Sequence, residues 1–218
     1  MGLDKNQIAQ RISQELRDGY YVNLGIGIPT LVANFVPDDI EIMLQSENGL
    51  LGMGEFPTEE NIDADLINAG KQTVTAIPGA AYFDSAESFA MIRGGHVDLT
   101  VLGAFEVDVK GNLASWMIPG KLIKGMGGAM DLVAGAENII VAMTHANKHG
   151  VSKILNECSL PLTGVQCVKK VVTDLAVMEL RDGAFHLLER APRISVEEIQ
   201  SKTEAKLIVE GDIPEMKL

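Results

Sequence analysis

Cysteine is nearly absent from this chain: Cys158 and Cys167 are the only two among 218 residues. A small secreted scaffold stapled by disulfides uses more, so the pair reads as buried or idle thiols of a cytoplasmic protein. Aromatic residues make up only 5% of the sequence, which leaves Ile, Val, Leu, Ala and Met to build the core. Positive charge is scarce as well, with 18 Lys and Arg against 30 Asp and Glu and a net charge of -12. That balance excludes binding nucleic acid through a broad basic face. An anionic ligand would need a local site of a few cations or backbone amides. No apolar stretch approaches the ~20 residues of a membrane helix. The segment from Met1 to Gln7 carries Asp4 and Lys5 and lacks the apolar core of a secretory signal. There is no fixed-period repeat and no low-complexity tract.

What is abundant is glycine, at 22 residues, within a sequence that is 46% hydrophobic and 22% charged. That composition supports a full core in one domain spanning residues 1–218. Ile8, Ile12 and Leu16 recur at helical spacing and predict a helix over 6–18. Strands are expected at 21–24, 40–45, 71–77, 97–102 and 139–143. A helix over 31–35 follows Pro29, and another, capped by Asp84, runs to Arg93-Gly94-Gly95. Residues 52–64, rich in Gly, Pro and acids, read as a surface excursion. This alternation predicts an α/β fold with an open, mostly parallel sheet covered by helices on both faces. Beyond residue 145 the pattern changes. The runs 168–180 and 184–189, joined by Asp182-Gly183, predict a C-terminal antiparallel hairpin. A short helix at 196–203 and a last strand at 205–209 follow.

Four clusters carry residue types suited to chemistry. Ser46-Glu47-Asn48-Gly49 places a carboxylate directly after an apolar run and on a tight turn. In an α/β protein that is the edge at which a nucleophile is presented, although a solvated turn glutamate is the plainer reading. Gly25-x-Gly27 lies between a strand and a helix and could turn amides towards an anion. Its third position is Thr30 rather than Gly, so it departs from the dinucleotide fingerprint. Gly125-Met126-Gly127-Gly128 suggests close backbone approach, with Lys121 and Lys124 upstream, one helical turn apart if the segment is helical. His145 and His149 have the spacing of metal ligands on a helix but no evident third ligand, and no metal site is expected.

Taken together, several segments resemble one family. Ser46-Glu47-Asn48-Gly49 is similar to the active-site motif of class I CoA-transferases. Residues 23–30 (Asn-Leu-Gly-Ile-Gly-Ile-Pro-Thr) resemble the opening of their β part, and the segments 66–71, 88–96 and 125–132 match in the same order. The resemblance covers roughly residues 8–210 and is nearest to the β subunit of 3-oxoacid, acetoacetate-type CoA-transferases. It implies an open α/β fold shared with some sugar-phosphate isomerases. It further implies Glu47 as a nucleophile that forms a glutamyl-CoA thioester, and Asn23 and the Gly128 amide as contacts for the oxyanion and thioester. Lys71, Gly127 and Asn48 are implied near the substrate, with Gly25 and Gly27 in the adjoining loop. The implied partner is an α subunit, and the substrates are an acyl-CoA and a short-chain carboxylic acid. CoA is then a substrate, and no resident cofactor is expected. Lys121, Lys124 and Arg93 are candidates for its phosphates that no family motif assigns. Two rival enzymes remain open at this point: a thioester hydrolase using the same glutamate, and a nucleotide-binding oxidoreductase built on Gly25 and Gly27.

Overall fold

The computed structural model describes residues 2–218; Met1, where the segment read as lacking a signal core begins, lies outside them. Helix α1 spans Lys5–Ser13. Its start is a capping box, with the Asp4 carboxylate accepting from the Gln7 amide at 2.9 Å and the Gln7 side chain accepting from the Asp4 amide at 3.0 Å. It ends five residues short of the expected 18. The Ser13 hydroxyl bonds back to the Gln10 carbonyl, and the amides of Glu15 and Leu16 take carbonyls three residues back, so the last turn tightens and closes.

Strand β1 (Tyr21–Leu24) is followed by a helix over the expected residues, a seven-residue 3-10 helix, Pro29–Phe35, with Pro29 in its first turn. Strand β2 (Met43–Ser46) starts later than the expected 40 because Ile40 is used in a turn against the Pro37 carbonyl. It pairs at once with β3 (Leu50–Met53), a strand lying partly inside the predicted excursion. Strand β4 (Ala76–Tyr82) begins five residues after the expected 71. Lys71 stands at a φ of 62° in a turn between Asn68 and Gln72, a conformation that excludes it from a strand.

Helix α2 (Ser85–Arg93) is capped by Asp84 as predicted. Strand β5 (Leu99–Leu102) follows. Four short strands come next: β6 (Glu106–Asp108), β7 (Leu113–Ala114), β8 (Met117–Ile118) and β9 (Leu122–Ile123). Then come helix α3 (Ala129–Gly135), β10 (Asn138–Ala142) and β11 (Ile154–Leu155). The predicted strand over 168–180 is in fact two, β12 (Lys170–Val172) and β13 (Ala176–Arg181). The Thr173 hydroxyl accepts from the amides of Leu175 and Ala176 and folds the chain between them. The hairpin of β13 with β14 (Ala184–Arg190) forms as expected, and α4 (Val196–Ser201) and β15 (Leu207–Ile208) close the chain.

Ten strands make the main sheet, in the order β15-β14-β13-β12-β10-β5-β1-β2-β3-β4. The run from β12 to β2 is parallel throughout, and antiparallel strands flank it on both sides. Strand β10 shows why its sequence is apolar at every position from 139 on. Ile139 and Val141 enter one core with Ile92 of α2, Leu132 of α3 and Ile199 of α4. Ile140 and Ala142 enter the other, with Ile8 and Ile12 of α1 and Val32 of the 3-10 helix. Both faces are buried, so the period-2 alternation of a half-solvated strand is lost.

Candidate active site

Glu47 is the first residue beyond β2, at the tip of the β2–β3 hairpin. Three local features hold that tip in place. The Ser46 hydroxyl accepts from the Ala69 amide at 2.9 Å, and the Asn48 side chain donates to the Ile67 carbonyl at 2.7 Å. Gly49 has a φ of 115° and lies so close to Phe83 that a Cβ would fall 2.0 Å from its carbonyl oxygen, so no larger residue fits. Asn48 therefore anchors the turn through its side chain.

Parallel pairing places Asn23 of β1 directly beside Gln45 of β2. Both side chains are buried, at 1% and 2% exposure. The Asn23 amide nitrogen donates to the Gln45 side-chain oxygen at 2.6 Å, to the Gln45 carbonyl at 3.2 Å and to Glu47 Oε2 at 3.3 Å. Gln45 in turn donates to the hydroxyl of Ser88, a fully buried residue of α2, at 2.9 Å. Asn23 Oδ1 is buried without a hydrogen-bond partner among the described residues. An unmade bond of that kind costs about 1–3 kcal/mol, so the orientation of the amide is held against a local penalty.

Gly128 closes the other side of Glu47. A Cβ built on it would sit 3.0 Å from Glu47 Cγ and 3.2 Å from Phe89 Cε1. Glu47 also lines a cleft of about 640 Å³ bounded by Gly25, Ile26, Thr30, Asn34, Phe56 and Gln72. The structure thus brings Glu47, Asn23 and Gly128 together, with Asn48 one residue away. Gly127, at a φ of 51°, is exposed beside Gly128, and a Cβ added to it would meet nothing within 4 Å. Lys71 is exposed in the loop behind Asn48, next to cleft residue Gly70, and forms no ion pair among the described residues.

The glycine loop at 25–27 has a packing reason. The Gly25 amide donates to the Val101 carbonyl at 2.8 Å, a Cβ there would meet that oxygen at 3.1 Å, and Thr30 donates back to the Gly25 carbonyl. The loop packs onto β5 and forms a wall of the cleft. The segment carrying Lys121 and Lys124 is not helical: the two lysines lie on the β8–β9 hairpin and after it. Arg93 is engaged by Asp131 of α3 at 2.6 Å.

The histidine pair is not on a helix. His145 is buried between the hydroxyls of Thr173 at 3.0 Å and Thr203 at 2.8 Å, while His149 is exposed in a turn. Burial lowers the pKa of His145 to about 4, against a smaller opposing pull from Asp174. Among the described residues no group of three or more His, Cys, Asp or Glu could hold a metal ion. The two cysteines are free thiols. Burial, with Asp108 and Glu106 nearby, pushes Cys158 far up, and burial pushes Cys167 to about 11, so neither is a ready thiolate. Gln45 and Ser88 are the members of the site that motif spacing misses. Their link to Asn23 depends on strand register and on where α2 docks.

An open α/β sheet that presents a carboxylate at a strand end, beside a buried amide donor and a close glycine, has the layout of an acyl-transferring enzyme. Comparison with known proteins makes the class specific. The family model described as coenzyme A transferase matches residues 5–202. The chain is 57% identical over 209 residues to one subunit of the probable succinyl-CoA:3-ketoacid coenzyme A transferase of Bacillus subtilis, covering 96% of this chain and 97% of that protein. It is 52% identical over 209 residues to the beta subunit of the acetate CoA-transferase of Escherichia coli, covering 96% and 95%. Among solved structures, an acyl-CoA transferase from Escherichia coli shares the fold with a TM-score of 0.78 at 23% identity, over 100% of this chain and 45% of that one. The chain belongs to the coenzyme A transferase family, as its motifs indicate, and its sheet has the open, mostly parallel form that the resemblance implies.

Proposed function

We propose that this chain is the β subunit of a heteromeric transferase that moves CoA between an acyl-CoA and a 3-oxoacid such as acetoacetate, with Glu47 as its nucleophile. The observation that carries the assignment is the Asn23 amide 3.3 Å from Glu47 Oε2, at the end of a central parallel strand. The relatives are named as single subunits of a succinyl-CoA:3-ketoacid transferase and of an acetate CoA-transferase, which supports the substrate class and the α partner.

In this reading a Glu47 oxygen attacks the thioester carbonyl carbon, and the carbonyl electron pair moves onto oxygen. Collapse of the tetrahedral adduct expels CoA thiolate and leaves an acyl-glutamyl anhydride. The thiolate then attacks the Glu47 carbonyl carbon, releasing the first carboxylate and leaving a glutamyl-CoA thioester. The incoming acid runs the two steps in reverse. Each attack on Glu47 builds negative charge on its carbonyl oxygen, where the Asn23 N–H is aimed; one such donor is worth roughly 3–4 kcal/mol in the transition state. Gly128 leaves room for the tetrahedral centre and offers its amide.

Anhydride and thioester must be kept from water. Ile26 on the cleft wall is 72% exposed, and Met126 and Met130, which flank Gly127 and Gly128, are also exposed. This apolar rim suits the face of an α subunit laid over the site. CoA is a substrate here, and no resident cofactor is required. The two free thiols suit a reducing, cytoplasmic setting. No helix among the described residues is long and apolar enough to cross a membrane. The test is Glu47→Gln in the complex co-expressed with its α partner. Transfer from acetoacetyl-CoA to succinate is expected to disappear while the complex still assembles, and unchanged turnover would remove Glu47 from the mechanism.

A further inference from the structure

We infer that Gln45, itself oriented by Ser88, is the positioning residue that keeps the Asn23 amide aimed at Glu47 throughout the reaction cycle. The inference rests on the assignment of Glu47 as nucleophile. A side-chain amide has two orientations related by a half-turn, and its neighbours decide between them. Here three acceptors demand the NH₂ end of Asn23: the Gln45 side-chain oxygen at 2.6 Å, the Gln45 main-chain carbonyl at 3.2 Å and Glu47 Oε2 at 3.3 Å. The opposite end, Oδ1, is buried with no partner among the described residues, so nothing on that side holds it.

The acceptors on Gln45 and on Glu47 differ over the cycle. In the acyl anhydride and in the glutamyl thioester, Glu47 no longer carries a charged carboxylate, and its claim on the amide weakens. The Gln45 side-chain oxygen is chemically unchanged in every state and makes the shortest of the three bonds. The Gln45 main-chain carbonyl at 3.2 Å is also constant but makes the longer bond, so the side-chain oxygen is the main acceptor that keeps the N–H in place when the second nucleophile attacks. Gln45 must be fixed for this to work, because a half-turn of its own amide would set NH₂ against NH₂. The Ser88 hydroxyl supplies that fixing by accepting from Gln45 Nε2 at 2.9 Å. Ser88, Gln45 and Asn23 come from α2, β2 and β1, so the relay joins helix to sheet below the reacting carboxylate.

The experiment compares Gln45→Met, Gln45→Glu and Ser88→Ala with the parent, each assembled with the α subunit, using acetoacetyl-CoA and succinate. Gln45→Met removes the acceptor at similar volume. It is expected to lower kcat by roughly ten- to a hundredfold, while the KM for acetoacetyl-CoA stays within about threefold. Gln45→Glu keeps an oxygen facing Asn23 and is expected to recover most of that loss. Ser88→Ala is expected to cost about three- to tenfold in kcat. The inference is overturned if Gln45→Met assembles and keeps kcat within about twofold of the parent, or if Gln45→Glu loses as much as Gln45→Met. If Gln45→Met fails to assemble, Ser88→Ala decides: a kcat loss at unchanged KM supports the relay, and unchanged kcat overturns it. Glu47→Gln run alongside separates the two levels. An inactive Glu47→Gln beside a fully active Gln45→Met defeats only the relay, whereas an active Glu47→Gln defeats the nucleophile assignment beneath it.

Discussion

Gly128 and Glu47 are so close that a single methyl group on the glycine would lie 3.0 Å from Glu47 Cγ and 3.3 Å from Glu47 Oε1. The backbone at Gly128 is ordinary, with a φ of -76° and a ψ of -5°, so alanine is conformationally acceptable there. Gly128→Ala should therefore leave the fold intact and act locally, by displacing the carboxylate or the loop before α3. The expected result is a kcat lowered roughly tenfold or more, with a melting temperature unchanged. Steady-state kinetics and a thermal melt on the same preparation check it.

Asn23→Ala removes the donor aimed at Glu47 and should lower kcat by about 10²–10³. It also strips the Gln45 side-chain oxygen of its donor, which costs stability on the order of 1–3 kcal/mol. Asn23→Asp should be worse for catalysis than alanine, because a second carboxylate would face Glu47 where the donor stood. Kinetics on the assembled complex distinguish the two.

Much of this site is legible in the sequence, and the part that is not has a physical reason. Glu47 can be found because its environment is local: a buried strand on one side and a turn glycine on the other. The parallel core can be found because strands buried on both faces, such as β10, lose their alternation. Strand β3 is hidden because Leu50–Met53 is short and runs into a Gly-rich and acidic loop, and only its antiparallel partners on both sides make it a strand. The positive φ of Lys71 overrides a run that looks extended. Gln45 and Ser88 lie 43 positions apart, and their bond follows from how α2 docks on the sheet, which no spacing encodes.

An ionic cluster whose members do not line the cleft predicts an acid-labile join. Arg11 of α1, which is almost fully buried, bonds Glu189 of β14 at 2.6 Å and Glu15 at 2.8 Å, and Lys170 of β12 bonds Glu15 at 2.6 Å. Burial opposes the charge on Glu15, but the bonds to Lys170 and Arg11 outweigh it and hold the carboxyl below its ordinary value. A depressed carboxyl stabilises the fold above the unfolded pKa, and that contribution is lost as pH falls through the folded value. Arg11→Met should cost about 3 kcal/mol or more, because it leaves Glu189 without this partner. It should also flatten the decline in stability below pH ~4.5. Urea titrations over a pH series check both.

His145 acts in a different window. Its folded pKa of about 4 lies below the ordinary 6.5, so the unfolded chain binds the proton first. Stability from this residue is complete above pH 6.5 and falls as pH drops towards 4, by about 3 kcal/mol in all. His145→Gln should be less stable at pH 7, since it disturbs the bonds to Thr173 and Thr203, but its stability should vary less between pH 6.5 and 4. Equal pH slopes for the variant and the parent would contradict this assignment.

The central claim is that Glu47 becomes covalently attached to CoA, and mass spectrometry after borohydride treatment tests it most directly. The complex with the α subunit would be incubated with acetoacetyl-CoA and no acceptor acid, reduced, and digested. Borohydride converts a glutamyl thioester to the alcohol but leaves a free carboxylate untouched. The account predicts that the peptide containing Glu47 becomes lighter by the difference between a carboxyl and a hydroxymethyl group, in step with loss of activity. An unmodified Glu47 in a complex that turns over acetoacetyl-CoA would contradict it.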